Sequence, residues 1–266
     1  MKIGHRKVLI TGGASAIGFA LAKEFMKRNN KVLICGRNPE KLRDANEKLP
    51  GLVVRSCDVT DLNDLANLVD WALQEQGGID ILINNAGIWQ NLDMLKGAFS
   101  FDLIEREVQT NLLAPIFLTQ RFFSHLLKRE ESAVVNVSSV LAYVPHAAAP
   151  VYSATKAGLH SFTMALRRQA SGTSVKVFEL FPPLTDTSLA KWFGLYKLSP
   201  EKVAAYTAFC MGRDRREIRP GLSRALYGMS RMLPNLTEQQ LNRRMTLYDA
   251  ARTGSRFFNR GAIAGI

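Results

Sequence analysis

The sequence predicts an α/β protein in which a parallel β-sheet is covered by helices on both faces. Three observations lead to this prediction. Short apolar runs alternate with helical segments, the runs are apolar at every position, and the first run leads into a glycine-rich turn. Strands that are buried on both faces are apolar throughout, and strands that are joined through helices pair in parallel by right-handed crossovers.

The predicted elements follow one another without a linker, repeat or low-complexity segment. The whole chain, 1–266, is therefore predicted to form one domain. The predicted strands are 7–10, 32–35, 52–54, 79–83, 133–137 and 175–180, and the predicted helices are 19–26, 39–48, 62–74, 103–128 with a break near Pro115, and 151–169.

Composition indicates a soluble, cytoplasmic protein. The 266 residues are 47% hydrophobic and 22% charged, as in ordinary globular domains, and no apolar run approaches the ~20 residues of a membrane span. Residues 1–6 lead straight into the first strand and leave no room for a signal peptide. Cys35, Cys57 and Cys210 lack metal-ligand spacing, so we expect three reduced thiols and no metal site.

The glycine-rich segment 11–18 joins the first strand to the first helix. A strand, a glycine turn and a helix N-terminus together bind a pyrophosphate, because free backbone N–H groups and the helix dipole favour an anion and glycine lets it approach. The alternative interpretation is an ordinary strand-to-helix turn.

A second motif combines Ser139, Tyr152 and Lys156. Tyrosine and lysine at this spacing lie one above the other on a helix face. A nearby ammonium lowers the pKa of a phenol from its usual value of about 10, and we therefore expect a Tyr152 that exchanges a proton near neutral pH. Ser139 follows the buried strand 133–137. Taken singly, Ser139 also suits a turn cap, and Tyr152 suits a buried aromatic with a bonded hydroxyl.

Most of the formal net charge of +12 falls in the C-terminal quarter of the chain, where residues 222–266 are predicted to form a basic C-terminal extension. An apolar stripe there, flanked by Arg224 and Arg231, suits either an anionic lipid surface or nucleic acid, or a helix packed on the body or at an oligomer contact. The second interpretation is favoured because charge runs usually mark solvated faces, and no nucleic-acid partner is expected. The stripe consists of Leu222, Ala225, Leu226, Met229, Met232 and Leu233.

These motifs, in this order, resemble the short-chain dehydrogenase/reductase family in its compact single-domain form. The resemblance rests on the turn 11–18, Asp58-Val59, Asn84-Asn85-Ala86-Gly87, Asn111, Ser139, Tyr152-x-x-x-Lys156, Pro182 and Thr187. It implies a Rossmann-type, doubly wound sheet of mainly seven parallel strands. The segments 35–38 and 182–187 also resemble the DltE-type oxidoreductases, which are encoded beside genes for teichoic-acid D-alanylation.

The resemblance implies a role for each matching residue. Tyr152 is the general acid in reduction and the base in oxidation, Lys156 lowers its pKa and binds the nicotinamide ribose, and Ser139 orients the substrate oxygen. Asn111 holds a water that connects Lys156 to a proton relay; its alternative is a buried amide that bonds backbone. The implied cofactor-binding residues are Gly12, Ser15, Ile17, Gly18, Arg37, Asn38, Asp58, Val59, Asn85, Ala86, Gly87, Tyr152, Lys156 and Thr187.

The choice of cofactor depends on the end of the second strand. Dehydrogenases that prefer NAD place an acid there, whereas this chain has Gly36 followed by Arg37. A guanidinium with no nearby carboxylate suits a 2′-phosphate, and Ser15 and Asn38 supply further donors, so NADP(H) is favoured over NAD(H). The alternative is that Arg37 is a solvated loop charge. Asp58 is expected to accept from the adenine amino group, with Val59 beside the ring.

Two residues depart from the family pattern. Ala16 stands where the family turn carries glycine, and its methyl group crowds a phosphate or disfavours a positive φ. Pro183 stands where the family has glycine, and it removes a backbone donor near the nicotinamide. Both changes put cofactor binding in question.

The substrate is predicted to be a small, apolar carbonyl compound or alcohol. The segment 184–198 matches a mobile flap and is rich in apolar side chains, and Trp89 and His146 are further candidate lining residues, although such aromatics equally suit core or subunit packing. The alternative function is a dinucleotide-binding sensor or scaffold without efficient turnover. The apolar flap residues are Leu189, Trp192, Phe193, Leu195 and Tyr196.

The helices 103–128 and 151–169 pair across a two-fold axis in members of the family. We therefore expect a homodimer or homotetramer. The apolar residues assigned to this contact are Leu112, Leu113, Ile116, Phe117, Phe123, Leu159, Phe162 and Leu166.

Overall fold

The computed structural model describes residues 1–90, 92, 94, 100–183 and 198–253, with side chains described as far as 243. The described strands form a sheet of seven strands in the order β3-β2-β1-β4-β5-β6-β7, with every neighbouring pair parallel. The predicted fold is confirmed. The strands are β1 Lys7–Thr11, β2 Lys31–Gly36, β3 Val53–Ser56, β4 Ile81–Asn84, β5 Ser132–Val137, β6 Val175–Leu180 and β7 Glu217–Ile218.

Helices cover both faces of this sheet. Alternate residues of β1 enter different cores: Val8 and Ile10 pack with the helices 16–26 and 200–212, whereas Leu9 packs with the helices 62–70 and 114–127. This double burial explains why the strands are apolar throughout. The helices are α1 Ala16–Met26, α2 Pro39–Lys48, α3 Leu62–Asp70, α4 Phe101–Val108, α5 Ala114–Leu127, α6 Pro150–Gln169, α7 Pro200–Gly212, α8 Ser223–Met232 and α9 Pro234–Thr253.

Two predicted helices are interrupted by π turns. The predicted helix 62–74 is α3 followed by a π turn at Trp71–Glu75, and the predicted helix 103–128 is α4, a π turn at Gln109–Leu113, and α5. Pro115 stands in the first turn of α5, where a missing N–H costs little. The break in the long helix therefore lies just before the proline. Single π turns in helices are frequent at functional sites.

Helix α8 carries the apolar stripe predicted from the sequence, but its described contact with the rest of the chain is made by a residue outside that stripe. Leu222, Met229, Met232 and Leu233 are exposed, with Met232 82% accessible. Helix α8 instead contacts the body through the Tyr227 ring, which lies 5.3 Å from that of Tyr143. Among the described residues, the exposed members of the stripe therefore do not make this contact. An oligomer contact for it stays a prediction.

The two helices expected at a subunit contact also differ from the prediction. Leu159 and Leu166 are buried within the chain, because α6 packs these residues against the body. They are therefore not available to a partner. Leu113 and Met164 are exposed, at 51% and 44%.

Within the described ranges, no helix combines the length and apolarity that a bilayer crossing needs.

Candidate active site

The carboxyl ends of β1, β4 and β5 meet at one edge of the sheet, because these strands are neighbours and parallel. This edge brings together three of the motifs found in the sequence: the turn after β1, the Asn85-Ala86-Gly87 segment after β4, and Ser139 after β5. Helix α6 adds Tyr152 and Lys156. Ligand sites of open α/β sheets lie at this edge.

The turn after β1 is joined to the segment after β4 by side-chain hydrogen bonds. Asn85 donates through Nδ2 to the carbonyls of Thr11 and Gly12, at 2.9 and 3.2 Å. Thr11 Oγ1 accepts from the backbone N–H groups of Asn85 and Ala86, both at 3.0 Å. The two loops therefore form one rigid cradle.

Glycine is required at two positions of this cradle. Gly12 has a φ of +63°, which favours glycine over any residue with a Cβ. A Cβ on Gly18 would collide with the Gly12 carbonyl and the Asn85 amide. The cradle has the close backbone approach that a pyrophosphate needs at a helix N-terminus, so the residues present fit a dinucleotide. Ser15 and Ile17 lie on the same turn, and the Ser15 side chain is exposed.

Ala16 adopts the conformation that glycine usually supplies at this position. Its φ is +50°, which costs an L-residue roughly 1–2 kcal/mol. The turn therefore accommodates the methyl group of Ala16 by straining the backbone of this residue.

Arg37 and Asp58 lie together at the ends of β2 and β3. The Arg37 Nη1 is 3.8 Å from Asp58 Oδ2, and Arg106 Nη2 is 3.4 Å from the same oxygen. The expectation that Arg37 has no nearby carboxylate is therefore wrong. Burial would raise the pKa of Asp58, but hydrogen bonds from Thr60 and the charges of both arginines lower it below its usual value.

Other side chains surround the predicted adenosine end of the cradle. Asn38 caps α2 by accepting from Lys41 N at 2.9 Å, which leaves its amide N–H groups as the available donors. Val59 is buried. A depression of about 300 Å³ lies beside Ser15 and is lined by Ala14, Ser15, Phe19, Lys41, Asp44, Ala45 and Lys48.

Tyr152, Lys156 and Ser139 form one cluster. The Lys156 ammonium lies 5.6 Å from the centre of the Tyr152 ring, and it donates to the Val137 carbonyl at 2.9 Å. Ser139 lies two residues beyond β5, where its Oγ accepts from Leu141 N at 3.2 Å, and a hydrogen bond from its side chain lowers the pKa of Tyr152. Ser139 therefore acts as a turn cap and as a phenol partner at once.

Burial dominates the ionisation of this cluster. It raises the pKa of Tyr152 to about 12, which the hydrogen bond from Ser139 partly offsets and the charge of Glu107 reinforces. Burial likewise lowers the pKa of Lys156 to about 8, against the charges of Glu179 and Glu107. The Tyr152 shift is opposite to the direction predicted from sequence. The reason is that desolvation disfavours both charged forms, and the ammonium is directed to Val137.

Asn111 lies in the π turn between α4 and α5 and is fully buried. Its Oδ1 accepts from Ile88 N at 2.9 Å, while Nδ2 donates to Ile88 O at 2.8 Å and to Thr155 Oγ1 at 3.2 Å. The side chain thus bonds backbone, as the alternative interpretation had it. A Cβ on Gly87 would lie 3.4 Å from Asn111 Oδ1 and 3.6 Å from Lys156 Nζ. The backbone of Gly87 therefore lies close to both side chains.

Two buried carboxylates near Lys156 were missed in the sequence. Glu107 on α4 and Glu179 on β6 are both fully buried. Glu179 Oε2 lies 2.9 Å from His160 Nδ1, and burial raises the pKa of Glu179 despite that contact. For Glu179, the available signal was a glutamate between Phe178 and Leu180 in the mainly apolar strand VKVFEL, because glutamate is rarely buried without a partner.

The predicted pocket residues fall in different places. The Trp89 ring lies 6.4 Å from that of Tyr152. His146 lines a separate groove of about 440 Å³ with Glu238 of α9, and Ser139 and Tyr152 are not among the described residues that line it. Burial lowers the pKa of His146 to about 4. Thr187 and the apolar flap residues, Leu189, Trp192, Phe193, Leu195 and Tyr196, lie outside the described residues.

Neither the cysteines nor a group of metal ligands contributes to this site among the described residues. Cys35, Cys57 and Cys210 are all free thiols and buried. Among the described residues, no group of three histidine, cysteine or acidic side chains is placed to hold a metal ion.

A glycine-lined cradle that fits a pyrophosphate, beside a Ser-Tyr-Lys cluster, is the arrangement expected of a nicotinamide-dependent oxidoreductase of the α/β class. The family model for short chain dehydrogenase matches residues 6–194. The chain therefore belongs to the short-chain dehydrogenase family and is an NAD(P)-dependent oxidoreductase of the alcohol and carbonyl type.

Comparisons with individual proteins agree with this membership. The chain is 44% identical over 189 residues to the uncharacterized oxidoreductase DltE of Bacillus subtilis (strain 168), which covers 71% of this chain and 75% of the relative. A short chain dehydrogenase from Burkholderia cenocepacia J2315, solved in complex with NADP, superposes with a TM-score of 0.79 at 22% identity, covering 91% of this chain and 99% of that one. A Burkholderia phymatum short chain dehydrogenase/reductase, solved with NAD, gives 0.78 at 19% identity, covering 87% and 96%.

Proposed function

We propose that the protein is an NADP(H)-dependent oxidoreductase that interconverts a carbonyl and an alcohol on a small, apolar substrate. The observation that carries this proposal is the cluster of Ser139, Tyr152 and Lys156 at the sheet edge that also holds the Gly12–Gly18 cradle. A protein that only binds a dinucleotide has no need of a proton donor at this place.

The bound dinucleotide supplies or accepts the hydride. The backbone N–H groups of the cradle and of Ile17 would hold its pyrophosphate, and Lys156 would bind the nicotinamide ribose, with Gly87 leaving space beside the ammonium. In reduction, Ser139 donates a hydrogen bond to the substrate carbonyl oxygen. The Tyr152 O–H bond then breaks and its proton passes to that oxygen as the alcohol forms. In oxidation, the phenolate takes the proton back.

Lys156 supports Tyr152 as a fixed positive charge. An ammonium this close stabilises the phenolate that forms during reduction, even though burial governs the resting pKa of the tyrosine. Asn111 fixes the loop at Ile88 through two hydrogen bonds, and this loop carries Trp89 beside the Tyr152 ring. The position of Trp89 favours apolar substrates, because an indole ring offers mainly apolar surface.

The preference for NADP(H) rests on Arg37. Its guanidinium is exposed beside Asp58, and a 2′-phosphate offers it a stronger, bidentate partner than a carboxylate at 3.8 Å does. Lys41 and Lys48 line the adjacent depression and add positive charge there. Similar folds are solved with NADP and with NAD, so a preference between the two cofactors would come from these side chains and not from the fold.

A dinucleotide-binding sensor or scaffold is the second candidate. The strained φ of Ala16 and the missing N–H of Pro183 favour weaker or altered cofactor binding. Neither feature removes the proton donor, so turnover is the expected outcome.

The two functions are separated by one pair of measurements. Dissociation constants for NADPH and NADH are obtained by fluorescence titration, and NADPH oxidation is followed with a panel of apolar ketones, aldehydes and quinones. Turnover with at least one carbonyl compound supports the enzyme. Tight NADPH binding with no turnover across the panel would favour the sensor instead.

We also infer a cytoplasmic location and a homodimer or homotetramer. The three buried, free thiols fit a reducing compartment. The exposed Leu113 and Met164 lie on the two helices that the resemblance places at a subunit contact.

A further inference from the structure

Glu107 is a fully buried acid that the proposed chemistry does not use. It lies on α4, one helical turn before Asn111. Its Oε1 accepts a hydrogen bond from Gln90 N at 3.2 Å. Its Oε2 is buried and has no hydrogen-bond partner among the described residues. An ionised carboxylate in such a place is costly, whereas a protonated one carries no charge that must be solvated.

The titratable groups that face Glu107 are the reacting ones. Tyr152 and Lys156 project from α6, and the charge of Glu107 raises the pKa of both. Lys156 in turn lowers the pKa of Glu107, while the loop contributes only the N–H of Gln90. Glu179 of β6 also acts on Lys156. Burial outweighs these contacts and raises the pKa of Glu107 to about 7.

We propose that Glu107 is a positioning residue of the active site, which holds an exchangeable proton and whose charge state controls how readily Tyr152 ionises. This inference deepens the proposed function and rests on it. When Glu107 is protonated, the phenolate that forms at Tyr152 during carbonyl reduction meets no neighbouring negative charge. When Glu107 is ionised, it repels that phenolate and favours the charged form of Lys156. Carbonyl reduction therefore slows as Glu107 loses its proton.

The first test measures stability and needs no substrate. Glu107→Gln keeps an acceptor for Gln90 N–H but cannot ionise. The carboxyl has a raised pKa in the folded state, so the wild type loses stability as the pH rises from the unfolded value of about 4.5 through about 7. Glu107→Gln has no carboxyl group to ionise and therefore does not lose stability over this pH range. Its melting temperature relative to wild type should therefore increase by on the order of 5–10 °C between pH 5 and pH 8.

Two further variants make this test specific. Glu105→Gln makes the same charge change at an exposed site of the same helix, and its difference from wild type should stay flat over this pH range. In a Lys156→Met background the carboxylate loses the positive charge that lowers its pKa, so the pH window of the Glu107→Gln effect should move to higher pH. A flat stability difference for Glu107→Gln would overturn the proposal, whether or not the enzyme turns over.

The second test is the pH profile of kcat for carbonyl reduction with a substrate from the panel. In the wild type, kcat should fall in two steps as the pH rises, near pH 7 for Glu107 and at higher pH for Lys156. Glu107→Gln should keep only the Lys156 step, moved to lower pH, and should match wild type at pH 6 within about threefold. A uniform loss of kcat with an unchanged two-step profile would mean that Glu107 is merely structural and would overturn its coupling to Tyr152. If no panel compound is reduced, the proposed function fails, and the stability test alone decides whether Glu107 holds the proton.

Discussion

Tyr152 and Lys156 lie one turn apart on α6, yet the Lys156 ammonium hydrogen-bonds the Val137 carbonyl at 2.9 Å and lies 5.6 Å from the phenol ring. This arrangement separates two tasks of the lysine. It anchors α6 to the end of β5, next to Ser139, and it supplies a positive charge to the site without bonding the phenol directly. The anchoring places the donor, and the charge favours its ionised form only when the reaction produces it.

Replacing Tyr152 by phenylalanine removes the transferable proton and keeps the ring beside Trp89. We expect kcat to fall by about two to four orders of magnitude, which is the usual contribution of a positioned acid. The NADPH dissociation constant should change by less than about threefold. Tyr143→Phe is the matched control, because its hydroxyl bonds only the Ser223 carbonyl among the described residues. Normal turnover by Tyr152→Phe would exclude Tyr152 as the proton donor.

Removing the Arg37 guanidinium tests the cofactor preference. Arg37→Ala should weaken NADPH binding by about 1.5–3 kcal/mol, as expected for hydrogen bonds to a charged group, and should leave NADH binding nearly unchanged. Arg43→Ala is the control, because Arg43 lies nearby on α2 with its partner Glu47 and is 70% exposed. Equal losses for both cofactors would show that Arg37 does not bind the 2′-phosphate.

Replacing Ala16 by glycine should stabilise the fold, whereas most alanine-to-glycine changes within helices destabilise it. The positive φ of Ala16 is strained for alanine and free of strain for glycine. Ala16→Gly should therefore stabilise the fold by about 0.5–1 kcal/mol after the entropy cost of glycine, or roughly 1–4 °C in Tm. Ala165→Gly, on the exposed side of α6, should destabilise by about 0.5–1 kcal/mol instead. A lower Tm for Ala16→Gly would mean that the turn gains more from the methyl group than it loses in backbone strain.

Much of the site could be predicted because its residues obey local periodicities. The spacing of Tyr152 and Lys156 fixes them on one helix face, and an apolar run that ends in Ser139 fixes that residue at a strand end. The contact between Arg37 and Asp58 depends instead on which strands are neighbours. It follows from the pairing of Gly36 with Ser56, which no local pattern reveals.

Glu107 shows a second limit of the sequence. It sits among charged residues in the helix FDLIEREV, where a solvated position is the natural expectation. Its burial depends on the loop at Gln90 and on α6, both distant in sequence. The π turn that carries Asn111 likewise has no residue signature, since its extra residue is accommodated by tertiary packing.

The last prediction concerns assembly. Leu113 in the π turn and Met164 on α6 expose large apolar side chains, whereas Leu159 and Leu166 are already buried within the chain. Leu113 and Met164 are therefore exposed apolar candidates for a two-fold contact through these helices, and a stable dimer buries at least about 1,200 Å² in total. We expect light scattering at micromolar concentration to give the mass of at least two chains. The double variant Leu113→Asp with Met164→Asp should reduce this mass, because two buried carboxylates per subunit lack partners. Leu62→Asp is the control, as Leu62 is 66% exposed at the start of α3, where an acid suits the helix dipole. A wild-type monomer would refute the prediction, and an unchanged mass for the double variant would place the contact elsewhere, with the exposed stripe of α8 as the next surface to substitute.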